Sequence, residues 1–394
     1  MDHNAYRTAL TLSSAGTERF FSPAEFTVRR SRVAEAMADR GLDALLVTDP
    51  ADIHYLTGYK TFEVSVHAAL IFRPEHCFLQ VPSIETGPAV TTAWVDEIAG
   101  YQWEDITSVV APLVSQLRDY RRVGIDPWGA GLRHGLMNEL TAHLGAERFE
   151  ACGDLLDDVR LIKTRAEIEC LRESARITEA GLRAAIATIR PGVDENIIAA
   201  AGASAMLAAG SEFMSLQPIV TSGPRIGVIH LNHQQRIIQP GDPVFLEFGA
   251  VCQRYTAPMM RTVVAGEPGA FMHRLGDCCR RIHDALLDTM RPGNRFDDAA
   301  RAAEAALAPV AGEVFFSGVF GYSVGAQFPP SWVEGTGYIA RGQQRLFAPG
   351  MVFHLPLCLR LPGKWGIGMS NTVMVGEWEV EPLTHNDWEL TNCA

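Results

Sequence analysis

Between Gly241 and Gly266 the chain reads GDPVFLEFGAVCQRYTAPMMRTVVAG, an apolar run, a bend and a second apolar run, which predicts two strands of a buried sheet. Val244, Phe245, Leu246 and Phe248 suit that strand. Glu247 stands among them, although an unpaired buried carboxylate costs several kcal/mol. Upstream, residues 24–40 have helical spacing and Gly41 lies where a C-cap belongs. LDALLVTD then reads as a buried strand, YLTGY as a turn, HAALIF as a strand, and RVGID and FEAC as further strands with a helix at about 131–144 between them. This alternation predicts an α/β domain to about residue 155. From Asp158 onward, Ile168, Leu171, Ala175, Thr178 and Leu182 recur at three and four, predicting one long amphipathic helix that Pro191 and Gly192 stop. A second helix near 193–209 follows, then strands and turns interrupted by one helical block from about 268 to 311. Helices beside a mainly antiparallel sheet make an α+β second domain, with expected limits 1–157 and 158–394.

A chain of 394 residues suits two or three domains. Its 47% hydrophobic and 20% charged residues are the mix of an ordinary soluble globular protein, and no run nears the ~18 apolar residues of a membrane span. The opening MDHNAYRTALTLSS has no apolar core of a secretory signal, so a cytoplasmic location is expected. Eight cysteines show no metal spacing, and the adjacent Cys278 and Cys279 suit neither a zinc knuckle nor an easy disulfide; reduced, mostly buried thiols are expected. A formal charge of −12 without a Lys/Arg cluster argues against nucleic acid and against an anionic membrane as partners. A small or zwitterionic substrate remains.

RLIKTRAEIECLR resembles the linker and helix that open the catalytic domain of the creatinase/aminopeptidase ("pita-bread") superfamily, and YLTGY resembles the N-terminal domain of its prolidase and creatinase branches. The Glu247 segment, GYSVG, APGMVFH and GIGMSNTVMV fall in the order and spacing of that family's site motifs. The resemblance implies an α+β pita-bread catalytic domain preceded by an α/β creatinase-like N-terminal domain. It also marks where the metallopeptidases of the family hold two metal ions, and none of their ligands survives. Glu247 and Pro258 stand for the two aspartates, Tyr322 for the histidine, and Pro356 and Ser370 for the glutamates. One carboxylate beside a phenol does not supply the donors a hard divalent ion needs. No metal and no other cofactor is expected, and a metallopeptidase is rejected.

RYTAPMMRT and GYSVGAQFPPSWVE are similar to the ectoine hydrolase branch, which puts Tyr322, Pro329, Pro330, Trp332 and Glu334 on matching positions; GMVFH, ending at His354, also matches. The chain departs from that branch at Gly368 and Asn371, where two carboxylates are missing. The resemblance implies that Glu247 is a nucleophile attacking an amidinium carbon to form an ester-like adduct that water resolves. The residues alone also allow Glu247 to be the buried ion-pair partner of Arg254 or Arg261. His230 in GVIHLNH aligns with a histidine over the scissile group and would move a proton to the leaving nitrogen, with His233 as competitor. Tyr322, Tyr255 and His354 are candidate substrate contacts. Trp332 with the two prolines could wall a flat cationic ring or merely anchor a loop. Arg261 could hold a substrate carboxylate or pair with Glu247. YKTFEVSVH resembles the segment that reaches the site from the partner subunit in dimeric relatives, which makes Phe62 and His67 candidates and a homodimer the expected assembly. The expected function is metal-independent hydrolysis of a C–N bond in a small cyclic amidine such as ectoine. The alternatives are a creatinase-like amidinohydrolase on a guanidino acid or a related amidine, and a non-catalytic pita-bread binding module.

Overall fold

Period-two alternation sorts the strand residues of the N-terminal unit, Met1–Arg160, onto two covered faces of one sheet. In the computed structural model, which describes residues 1–393, that sheet has six strands. Their order is Glu97–Tyr101, His76–Pro82, Ala69–Arg73, Ala44–Val47, Val123–Ile125 and Phe149–Ala151. The central Ala44–Val47 runs antiparallel to Ala69–Arg73 and parallel to Val123–Ile125. Leu45, Val47, Leu70 and Phe72 pack with Val33 and Met37 of the helix Pro23–Arg40, while Ala44, Leu46, Ala69 and Ile71 pack with Leu113, Leu136 and Leu140 of the helices Val110–Leu117 and His134–Leu144. Gly41 closes the first of these helices at φ 65°, as expected. YLTGY is not a free turn. Tyr55, Leu56 and Thr57 finish the helix Pro50–Thr57, which Asp49 caps and Gly58 ends at φ 78°. Six of its eight residues are buried, so it has no polar face by which periodicity could reveal it.

The second unit begins at Leu161. Its expected single long helix is two, Gly153–Leu161 and Arg165–Ile186, because Thr164 starts a new helix through a capping box. The Glu167 N–H donates to Thr164 Oγ1 at 3.3 Å and the Thr164 N–H donates to Glu167 Oε2 at 2.8 Å. Arg165–Ile186 and Glu195–Ala208 cover the sheet of Ile219–Ser222, Pro243–Phe248, Met259–Val264 and Thr391–Asn392. The helical block after residue 268 is also two helices, Ala270–Thr289 and Phe296–Leu307, parted at Pro292-Gly293. They cover the five-stranded sheet Val333–Ala340, Val319–Val324, Val352–His354, Thr372–Val375 and Val380–Pro382, together with the hairpin Leu357–Leu361/Trp365–Met369. The two halves are stitched where the hairpin meets Met259–Val264. Thr262 Oγ1 donates to the Gly368 carbonyl and accepts the Gly368 N–H, both at 2.9 Å, and the Met260 N–H donates to Ser370 Oγ at 2.7 Å. An α/β N-terminal domain followed by an α+β pita-bread domain is therefore the architecture. No disulfide joins the eight cysteines among the described residues, and six of them are buried. Among the described residues no helix is long and apolar enough to cross a membrane.

Candidate active site

On the strand Pro243–Phe248, Val244, Leu246 and Phe248 point at the helices, so Phe245 and Glu247 point the other way. Phe245 packs there with Ile226, Met260 and Cys358. In the strand Leu357–Leu361 the same alternation sends Leu357 and Leu359 into the helix-covered core and leaves Cys358 and Arg360 on the Glu247 side. Glu247 is 8% exposed and forms no ion pair among the described residues. Burial pushes its carboxyl up to about 8, with the charge of Arg360 pulling the other way. Arg360 is thus the cation of this site, held by an Nε–H donated to the Ile226 carbonyl at 3.2 Å. The sequence reading missed it. The available signal was LCLRL, in which arginine falls in phase with a cysteine rather than with the leucines.

Neither arginine proposed as an ion-pair partner reaches Glu247. Arg261 lies directly across from Leu246, and Met260 across from Glu247, so the register turns Arg261 to the opposite face. It pairs with Asp387 at 2.8 Å instead. Arg254 lies over the rings of Phe213 and Phe328, 3.9 and 4.7 Å from their centroids, and donates to the Phe213 and Gln327 carbonyls.

Beside the carboxyl runs a chain of hydrogen bonds. Tyr322 and His354 are cross-strand neighbours, and His354 Nδ1 lies 2.7 Å from the Tyr322 hydroxyl. On its other side His354 Nε2 lies 2.7 Å from Ser370 Oγ. Each hydroxyl already accepts an N–H, Tyr322 from Trp332 Nε1 at 3.0 Å and Ser370 from the Met260 backbone. With the imidazole proton on Nδ1, the Tyr322 oxygen accepts twice and its own proton is free for the site; with the proton on Nε2, the free proton is that of Ser370. His354 is fully buried, which lowers its pKa to about 3 and keeps the ring neutral. Tyr322 is raised well above its ordinary range, first by burial and next by the Glu247 charge, so it stays a neutral donor.

A two-metal centre does not fit these residues. Both nitrogens of the one imidazole are engaged with hydroxyls, and the single carboxyl stands beside Tyr322 and an arginine. No group of three or more His, Cys, Asp or Glu side chains converges among the described residues.

The remaining expected residues lie apart or serve other ends. Trp332 is 2% exposed, packs on Gly249 and gives its N–H to Tyr322, so it supports the phenol rather than walling an open ring site. Tyr255 is fully buried and its hydroxyl donates to Glu167 at 2.9 Å. Glu334 is paired with Lys163 at 2.6 Å. His230 is exposed at φ 59°, and no hydrogen bond among the described residues ties it to Glu247. His233 Nδ1 lies 2.9 Å from Asn196 Oδ1. Phe62 and His67 belong to the N-terminal unit, the first 76% exposed and the second buried. The missing carboxylate at Gly368 has a steric counterpart. A Cβ there would stand 2.3 Å from a Phe245 ring carbon and 2.7 Å from Cys358 Sγ, so the phenylalanine fills the space. Asn371 is buried and accepts the Asn386 N–H at 3.0 Å.

The family model of Metallopeptidase family M24 matches residues 169–377, and that of the Creatinase/Prolidase N-terminal domain matches residues 29–162. A Sinorhizobium fredii protein described as an uncharacterized hydrolase/peptidase is 29% identical over 392 residues, covering 94% of this chain and 97% of the relative. The ectoine hydrolase of Halomonas elongata is 27% identical over 391 residues, covering 92% and 96%. Among solved structures, the prolidase from Pyrococcus horikoshii OT3 matches with a TM-score of 0.80 at 22% identity, over 92% of this chain and 99% of that one, a likeness of fold.

Proposed function

The chain belongs to metallopeptidase family M24, a family of hydrolases, and from that premise we propose that it opens a C–N bond of a small amidinium-bearing acid without a metal, through Glu247. The observation that carries this reading is a buried carboxyl with no cation bonded to it, held up to about 8 by burial. Such a group is largely neutral in the empty site at neutral pH. A cation placed against it offsets the desolvation and releases the proton, so an amidinium substrate generates its own nucleophile. A neutral amide brings no such charge.

The carboxylate oxygen then attacks the amidinium carbon and forms a C–O bond. One C–N bond breaks as the leaving nitrogen takes the proton of Tyr322, whose oxygen is steadied by Trp332 and His354. Water adds to the same carbon, its protons return to the solvent and the phenol, and the C–O bond breaks to free Glu247 and an amide. The role expected of His230 passes to the Tyr322–His354 pair. Arg360 takes the role expected of Arg261, holding the substrate carboxylate. The Halomonas relative supports ectoine as the first compound to test. Phe245 over Gly368 supports a tighter, more apolar pocket than one lined by a carboxylate at that position.

The test is incubation of chelator-treated protein with ectoine, creatine and an Xaa-Pro dipeptide, with mass analysis of the products. Gain of one water by an amidine or guanidine substrate supports the reading. Cleavage of the dipeptide alone, dependent on added manganese, overturns it, and so does binding of all three without any product.

A further inference from the structure

The N-terminal unit holds a cavity of about 350 Å3, at the small end of ligand sites, that takes no part in the chemistry proposed for Glu247. It lies against the start of the helix His134–Leu144, whose first turn no side chain caps. Unmet N–H groups and the positive end of the helix dipole therefore meet the opening. Gly135 lines it, and a Cβ built there would meet nothing within 4 Å, so the backbone is bare on that side. Arg133 stands at the same lip, its Nη2 donating to the Ser65 carbonyl at 2.9 Å. His67 also lines the cavity, 3% exposed, with neither ring nitrogen meeting a partner at strict hydrogen-bonding geometry. Its backbone is pinned by the Tyr101 hydroxyl, which donates to the His67 carbonyl at 2.9 Å. The Gln80 amide is the one neighbour the fold offers this ring, so at least one nitrogen of the buried imidazole is left wanting an acceptor or a donor. Ile106, Val109, Val110 and Leu136 make the rest of the lining mainly apolar, with Thr107 and Glu139 as its other polar side chains.

We infer that this cavity binds a small monocarboxylate with a branched or straight apolar body. The carboxylate sits among Arg133, the bare helix turn and His67, and the body lies against Ile106, Val110 and Leu136. Glu139, one turn further along the same helix and also in the lining, repels a second negative charge and so disfavours dicarboxylates. The groups facing His67 agree with this polarity. Burial and the charge of Arg133 lower its pKa to about 4, and the Gln80 amide opposes them only in part. A bound carboxylate favours the charged ring and moves that titration upward.

Isovalerate titrated into the full chain, followed by calorimetry and by the histidine ring resonances, tests the assignment. Expected are saturable binding, an upward move of the His67 titration from about 4, and affinity about tenfold weaker or worse for isovaleramide, for methylsuccinate and for the Arg133→Gln variant. Arg133 is exposed, so that variant keeps the wild-type melting temperature. Glu139→Gln is expected to narrow the preference for isovalerate over methylsuccinate. The assignment is overturned if the amide binds as well as the acid, if Arg133→Gln binds like wild type, or if no saturation is reached. Loss of binding in Glu247→Gln also overturns it, since the ligand then sits at the other site. Protection of residues 106–110 that rises with protein concentration and not with isovalerate overturns it too, because a second copy of the chain then covers the cavity.

Discussion

Glu247 holds a proton in the native protein that it gives up in the unfolded chain. Its carboxyl ionises near 4.5 when unfolded and near 8 when buried, so between those values the folded state binds more protons and stability falls as pH rises, by about 1.4 kcal/mol per pH unit. Below pH 4.5 the group is neutral in both states and the penalty vanishes. Glu247→Gln is therefore expected to melt at the wild-type temperature at pH 4 and several degrees above it at pH 8, read by calorimetry at the two values; a variant that melts lower at both would mean that an ion pair does form. The same shift sets the kinetics. For a cationic substrate kcat/KM should climb through about pH 8, while the kcat profile turns at lower pH because the bound cation draws the carboxyl down. A profile flat from pH 6 to 9 contradicts this. Of the neighbouring groups, Tyr322→Phe should cost about a hundredfold or more in kcat and His230→Ala less than about tenfold, measured side by side. The reverse order would return the proton transfer to His230.

How the strand Pro243–Phe248 meets the hairpin Leu357–Leu361/Trp365–Met369 decides the shape of the pocket. Gly368→Ala drives a Cβ into the Phe245 ring and is expected to cost about 1–3 kcal/mol, and less than that when added to Phe245→Ala, so that thermal melts of the double variant show a smaller loss than the sum of the two single ones. Fully additive losses would show that the ring moves aside freely. This contact also marks what a linear chain discloses. Glu247 was legible because it interrupts an apolar run, and Tyr322 and His354 because their motifs kept family order; Ser370 showed in the sequence only as a position where a family glutamate is missing. Arg360 was not, because an arginine alternating with leucines reads as the wet side of a hairpin until a second sheet covers it. Arg254 and Arg261 stayed open as partners of Glu247 because nearness in sequence says nothing of face, and a register in which Met260 opposes Glu247 turns Arg261 away. The helix break at Ile162–Thr164 was hidden because apolar periodicity runs on across it, although the Thr164–Glu167 capping box stood in plain view. Strands and helices with two distinct faces were read well; the short helix Pro50–Thr57, buried nearly all round, was not.

For the whole molecule the expectation of a homodimer stands as a proposal. It rests on the resemblance of YKTFEVSVH to a partner-reaching segment and on Phe62, whose ring is 76% exposed in that segment. Light scattering should give twice the mass of the chain, and Phe62→Asp should shift it toward the monomer. A monomer with full turnover would contradict the shared-site reading while leaving the chemistry at Glu247 untouched. That chemistry is tested most directly by the turnover of ectoine, and of creatine in its place if ectoine is not a substrate, by chelator-treated wild type and Glu247→Gln in the same assay. Wild type is expected to be active without added metal, and the variant, folded and at least as stable at pH 8, to be slower by about three orders of magnitude or more. A folded variant that keeps near-wild-type turnover, or a wild type that works only with a divalent metal restored, would contradict it.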